Sequence, residues 1–312
     1  AIAGPIIRFK SVAAQVLDRN ETPDDRLLGL FRFAVGLAKK VLIANVLAKQ
    51  ADLYMGGELR ALGFDEAWLG ILAYTFQIYF DFSGYSDMAI GLARMMGFRF
   101  PENFDSPYTA QSITEFWRRW HITLGAFMRD FLYIPLGGNR VRQKWRLYFN
   151  LWLVFLVSGL WHGASWNFVL WGAFHGLFLI LDRLFLLKIL EKIGKVPSVL
   201  FTFFVVAMAW VLFRIENWND ALTFYNQLFD YKDIKFIELN NSFILIFLIA
   251  IFFSLFGRTK IGSKASAFLM AQNPVVSLSN AVLITVSTVL LLFFSIVFLS
   301  ASDLNPFIYY RF

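Results

Sequence analysis

With no cysteine and only three histidines in 312 residues, the side chains able to exchange a proton near neutral pH reduce to His121, His162 and His175. Disulfides and thiolate chemistry are excluded, and a dedicated metal cage is not expected. His162 is the most informative of the three. It stands in SGLWHGASWNFVLWGAFHG, at the tip of an apolar hairpin, where an ionisable group costs at least about 2.5 kcal/mol unless it faces a cavity or a partner. Trp161 precedes it and Gly163, Ala164 and Ser165 follow, small residues that let backbone or ligand approach closely. A neutral imidazole in a dry cavity is a good general base for a hydroxyl. A satisfied helix-cap histidine between tryptophans is the structural alternative.

His121 lies in FWRRWHITL, with Trp117 one helical turn back on the same face and Arg118 and Arg119 pointing elsewhere. It reads either as a second site residue or as part of an interfacial aromatic-and-arginine anchor. His175 shares a helix face with Trp171 and Asp182, which favours an orienting or packing role. Asp81 and Asp87 are embedded in an apolar stretch. They could form a proton relay, or be counter-ions for Arg94 or Arg99, with a break at Ser83-Gly84 bringing them together. Arg118, Arg119 and Arg129 could hold the phosphates of a nucleotide-bearing donor or anchor lipid head groups.

The elements that must position these groups are membrane helices. The chain is 58% hydrophobic with 37 Phe, and its mean hydropathy is +0.58, too apolar for a soluble domain of this size. Clear apolar segments cover 67–82, 147–161, 167–187, 199–213, 242–256 and 280–300. The stretch 26–53 carries Lys39 and Lys40 and reads as a re-entrant or interfacial helix. The expected fold is therefore all-α, a polytopic transmembrane bundle with re-entrant or short helices around a central funnel. The net charge of +7 sits beside apolar runs, the positive-inside pattern, and not in a nucleic-acid-binding surface.

Basic loops at 140–146, 188–195 and 258–264 are expected to face the cytoplasm, and the acidic stretch 216–238 the exterior. The helices on either side of His162 then form a hairpin rising from the cytoplasm. An arm of about 15 residues reaches about 22 Å against roughly 30 Å of hydrocarbon. That places His162 within the membrane's thickness. The opening AIAGPIIRFK has no initiator Met, and the chain reads as one membrane domain, 1–312, lacking an N-terminal part.

Three long motifs occur in order: QIYFDFSGYSDMAIGLARMMGFRFPENF, ITEFWRRWHITLGAFMRDFLYIPLGGNR and GLWHGASWNFVLWGAFHG. Together they resemble the membrane-bound O-acyltransferase (MBOAT) family, from AGPIIRF at the start to FIYYRF at the end. RDFLYIPLGGNR is similar to that family's bacterial alginate O-acetyltransferase branch.

The resemblance implies that His162 is catalytic and that His121 is the second polar position. It further implies acetyl-CoA or another acyl thioester as a cytoplasmic donor, with no cofactor, and a hydroxyl acceptor presented from outside. An exported transferase would place the acyl group on a polysaccharide, at the bacterial inner membrane. Tyr309, in the terminal FIYYRF, is either part of an interfacial aromatic belt or a transient acyl carrier. D-alanyl or peptidoglycan O-acyl transfer would use the same site with another acceptor. A proton-coupled transporter using Asp81, Asp87 and His162 is the rival from another class. It would act without a thioester, and no inverted repeat supports it.

Overall fold

The computed structural model describes residues 4–270 and 277–301, which are helical with no strand beyond a single Phe104–Trp120 bridge. After the short α1 (Phe9–Leu17), helix α2 (Pro23–Ala38) starts at Thr22, whose side chain accepts the Asp25 N–H, with Pro23 in the first turn. It runs through a widened π turn (Lys39–Ala44) into α3 (Asn45–Met55). The lysines therefore do not interrupt the helix. Both carry charge to α4, as shown below, and the stretch expected to be a re-entrant or interfacial helix is one continuous helical element.

Helix α4 (Phe64–Met95) has 32 residues and a length of about 48 Å. It is the central element, buried on nearly all sides between Ala67 and Ala93. No break occurs at Ser83-Gly84. Gly84 and Gly91 instead meet Gly36 and Gly29 of the antiparallel α2. A Cβ on Gly36 would lie 2.5 Å from the Gly84 oxygen, and one on Gly91 would lie 2.5 Å from the Gly29 oxygen. Glycines seven apart on both helices bring the two backbones into contact, as small residues do between membrane helices.

The segment after α4 folds into short pieces: α5 (Ile113–Arg119), α6 (Ile122–Met128) and a π turn (Arg129–Tyr133). Helices α7 (Lys144–His162) and α8 (Trp166–Leu181) form the expected hairpin. Close contact of Gly159 with Phe168 and of Gly172 with Phe155 sets their antiparallel register. Helix α7 has 19 residues, about 28 Å, and its last residue is His162. The arm is longer than expected because Lys144 and Arg146 join its first turn.

A π turn (Asp182–Leu186) and α9 (Leu187–Ile193) extend α8, so Lys188 and Lys192 lie on a helix and not in a loop. The chain turns at Gly194, in the left-handed region at φ 88°. Then follow α10 (Lys195–Arg214), α11 (Trp218–Phe229), α12 (Asn241–Phe256), α13 (Lys260–Leu269) and α14 (Leu278–Ser300). The third basic stretch is thus largely helical as well.

Helices α10 and α14 are long and apolar enough to cross a membrane. They differ in surroundings. Trp210, Val206 and Ala209 of α10 are buried in the main core, whereas α14 exposes Val286, Val289, Leu290, Phe293 and Phe294. An exposed apolar face of that extent marks a surface that meets lipid or another protein segment.

Candidate active site

The site is assembled from the short helices between α4 and α7 and from the α7–α8 hairpin. His121 is the pivot. It separates α5 from α6 with φ 46° and ψ 53°, a left-handed conformation rare outside glycine, and it is 2% exposed. This corrects the expectation of one helix through FWRRWHITL. The turn brings Trp117, Arg118 and His121 to the wall of one cavity of about 480 Å³.

Asn103 holds His121 in place. Its backbone oxygen accepts the Ile122 N–H at 3.0 Å. Its Oδ1 accepts the Thr123 N–H at 3.2 Å and the Thr123 hydroxyl at 2.9 Å, and faces His121 Nδ1 at 3.1 Å. Asn103 Nδ2 donates to Ser86 Oγ on α4 at 3.1 Å. The Phe82 ring meets the imidazole edge-on at 4.7 Å. The segment from Gly4 lies alongside, with Ile6 N–H donating to Thr123 Oγ1 at 2.9 Å. Asn103 was missed at the sequence level. The signal was its place in FPENF, a polar residue just before an aromatic motif.

His162 ends α7 in an aromatic box. Trp171 and Phe213 meet its ring edge-on, with centroids 5.3 and 5.2 Å away. Gly163 has no room for a side chain, because a Cβ would lie 2.6 Å from the Phe168 ring. Leu151, Val154, Phe155 and Ser158 of α7 line the cavity. At helical spacing they form the face that ends at His162. Trp161 points the other way, half-exposed beside Phe127, and Ser165 is the half-buried cap residue of α8.

His175 is elsewhere. It is fully buried, and its Nδ1 accepts the Trp117 Nε1–H at 3.3 Å. Asp182 does not bind it. The Oδ2 of Asp182 accepts the N–H and hydroxyl of Thr114, each at 2.8 Å, because the shared helix face turns toward α5.

Arg118 and Arg129 line the cavity with His121. Arg119 does not. It is buried between Glu115 and Thr109 Oγ1, the latter at 2.8 Å. The three arginines therefore divide two to one, Arg118 and Arg129 on the cavity and Arg119 packed away from it.

Asp81 and Asp87 are each paired with cations of α2 and the π turn that follows it, and not with Arg94 or Arg99. Asp81 pairs with Lys40. Asp87 binds Arg32 and Lys39, both at 2.6 Å, and Arg32 also reaches Glu102 at 2.6 Å. Arg94 and Arg99 bind Asp25, at 3.2 and 2.5 Å. With α4 unbroken, the two carboxylates stay apart. No group of metal-ligating side chains occurs among the described residues. Tyr309 lies outside the described residues.

Buried helices, an α14 with an exposed apolar face and a cavity lined by Arg118, Arg129 and the buried His121 are features of a membrane protein with an internal polar site. This chain belongs to the MBOAT, membrane-bound O-acyltransferase family, whose model matches residues 1–191. It is 43% identical to the probable alginate O-acetylase AlgI of Pseudomonas putida, over all of this chain and 66% of that protein. To the AlgI of Pseudomonas aeruginosa it is 46% identical over 81% of this chain and 50% of the relative. To a peptidoglycan O-acetyltransferase of Helicobacter pylori it is 46% identical over 71% of this chain and 43% of the relative. The chain thus spans between about two fifths and two thirds of the length of these relatives.

Proposed function

We propose that this protein is a multi-pass O-acyltransferase of the bacterial inner membrane. It passes an acetyl group from a cytoplasmic thioester, such as acetyl-CoA, to a hydroxyl on the outer side, for O-acetylation of an exported polysaccharide such as alginate. One observation carries the reading. His121 and Arg118 line a cavity whose α7 wall ends at Ser158, one helical turn before His162, which is itself buried behind that wall and is not a lining residue.

The direction of travel follows from charge. Tyr133 is at the cavity's rim and donates to Asn139 Oδ1, which also accepts from Arg183, each at 2.8 Å. Arg183 reaches that end, and Arg140, Arg142 and Lys144 follow Asn139 in the sequence, a basic stretch that the positive-inside rule assigns to the cytoplasm. Arg118 is placed to meet phosphates arriving there, and Arg129, now held by Asp130 at 2.6 Å, would have to exchange that partner to join it. From Leu151 to His162 the helix rises about 16 Å, which separates a cytoplasmic donor mouth from an outer acceptor mouth.

In the reaction, His162 takes the proton of the acceptor hydroxyl as its oxygen attacks the thioester carbonyl. The tetrahedral species collapses with cleavage of the C–S bond, and the departing thiolate takes up a proton. His121 is the second polar group, orienting the donor or steadying the oxyanion. The acyl group crosses the membrane while the donor stays behind. Tyr309 is proposed as the external carrier that hands the acyl group to an exported transferase, and Tyr309→Phe removes only the hydroxyl needed for that step.

The test is His162→Ala in the full-length protein. We expect it to insert and fold, and to lose roughly 10²–10⁴-fold in transfer, the range a general base supplies. Wild-type transfer by a well-expressed variant rules the mechanism out. Undiminished polymer acetylation by Tyr309→Phe rules out the relay.

A further inference from the structure

We propose that Asn103 is a positioning residue that fixes the tautomer of His121 and makes its Nε2 a proton acceptor inside the cavity. The proposal rests on the acyl-transfer reading for its consequence, but the tautomer follows from hydrogen-bond chemistry alone. The Thr123 backbone N–H can only donate, so the Asn103 atom it meets at 3.2 Å is the carbonyl oxygen, Oδ1. The Thr123 hydroxyl accepts from the Ile6 N–H at 2.9 Å and spends its own proton on the same Oδ1, also at 2.9 Å. The other end of the amide is fixed too, with Nδ2 directed at Ser86 Oγ.

His121 Nδ1 is 3.1 Å from that oxygen. Two facing acceptors would repel, so Nδ1 must carry the proton and donate it. In the neutral ring, Nε2 is then left with a lone pair. Nε2 is not sealed. The Nε2 of His175 is buried without a hydrogen bond; that of His121 is not so buried, and the residue is part of the cavity wall.

This arrangement narrows what His121 does. A neutral imidazole with its proton at Nδ1 cannot donate to an oxyanion from Nε2. It can accept a hydrogen bond from the substrate hydroxyl or from a donor amide N–H, and it becomes a donor only after taking up a proton. The left-handed backbone at His121 has the same origin. Asn103 grips the residues after it through Ile122 N–H, Thr123 N–H and the Thr123 hydroxyl, and a non-glycine residue held in this region is a recognised mark of functional sites.

The experiment labels histidine isotopically and reads ring-nitrogen chemical shifts of the full protein in membranes. With three histidines, a His175→Gln variant simplifies the assignment. We expect His121 to be protonated at Nδ1 and not at Nε2. In Asn103→Leu we expect a tautomer mixture and a kcat loss of roughly 10²–10⁴-fold, the scale seen when a catalytic imidazole takes the wrong tautomer, with little change in KM for the thioester. Asn103→Asp keeps the acceptor and adds charge. It should restore the tautomer and move the acid limb of the pH–rate profile to higher pH. A wild-type spectrum with His121 protonated at Nε2 overturns the proposal, as does an unchanged pH profile in a folded Asn103→Asp protein. If the tautomer is as expected but His162→Ala transfers normally, the acyl-transfer reading fails and the Asn103–His121 assignment stands.

Discussion

Arg32 and Asp87 meet at 2.6 Å with side chains 2% and 5% exposed, linking α2 to the C-terminal third of α4. If Asp87 is lost, the buried Arg32 keeps only Glu102, whose side chain is 36% exposed, and Lys39 loses its carboxylate. Breaking a buried pair by removing one member costs roughly 3–5 kcal/mol, whereas a solvent-exposed pair is worth about 0–1 kcal/mol. Asp87→Ala should therefore lower the melting temperature of the detergent-solubilised protein far more than Arg99→Ala, because Arg99 is 55% exposed and Asp25 keeps Arg94. Equal shifts for the two variants would show that the buried cluster is relieved by water.

Gly36 and Gly84 set the spacing of the same two helices. A Cβ on Gly36 would meet the Gly84 backbone oxygen at 2.5 Å, and backbone cannot swing aside as a side chain can. Gly36→Ala is expected to destabilise by about 1–3 kcal/mol. At Gly125 on α6 the nearest atom is 3.7 Å away, so Gly125→Ala should be neutral or stabilising by up to about 1 kcal/mol. Thermal unfolding of both variants against the parent protein checks the contrast.

His121 and His175 offer a comparison within the site. His175 is sealed beside Trp117, while His121 opens on the cavity. Transfer per folded molecule should fall more for His121→Ala than for His175→Ala, and the latter should show mainly as reduced stability. The reverse order would place the chemistry on the wrong ring.

The absence of cysteine makes sidedness measurable. Arg142→Cys and Lys192→Cys should label from the cytoplasmic face only, and Asp230→Cys from the outside only. Outside labelling at Arg142 would invert the direction assigned to the donor.

Much of this protein is legible in its order of residues. Apolar runs separated by charge dictate helices, and the observed α10, α12 and α14 each contain the expected segment and start one to four residues earlier. Residue type and setting also single out His162, because an imidazole in an apolar hairpin demands an explanation. Partner choice was not legible. Lys39 and Lys40 look like breaks in a membrane helix until Asp81 and Asp87 come alongside, and helical period alone cannot say which cation a carboxylate will meet.

The site itself was decided by one turn. A left-handed residue at His121 reverses which side chains of FWRRWHITL share a wall, putting Arg118 in the cavity and Arg119 against Glu115. No local propensity forecasts that conformation for a histidine. It is held by Asn103, eighteen residues earlier in the chain, and hydrogen bonds between segments so far apart exist only once the tertiary structure has formed.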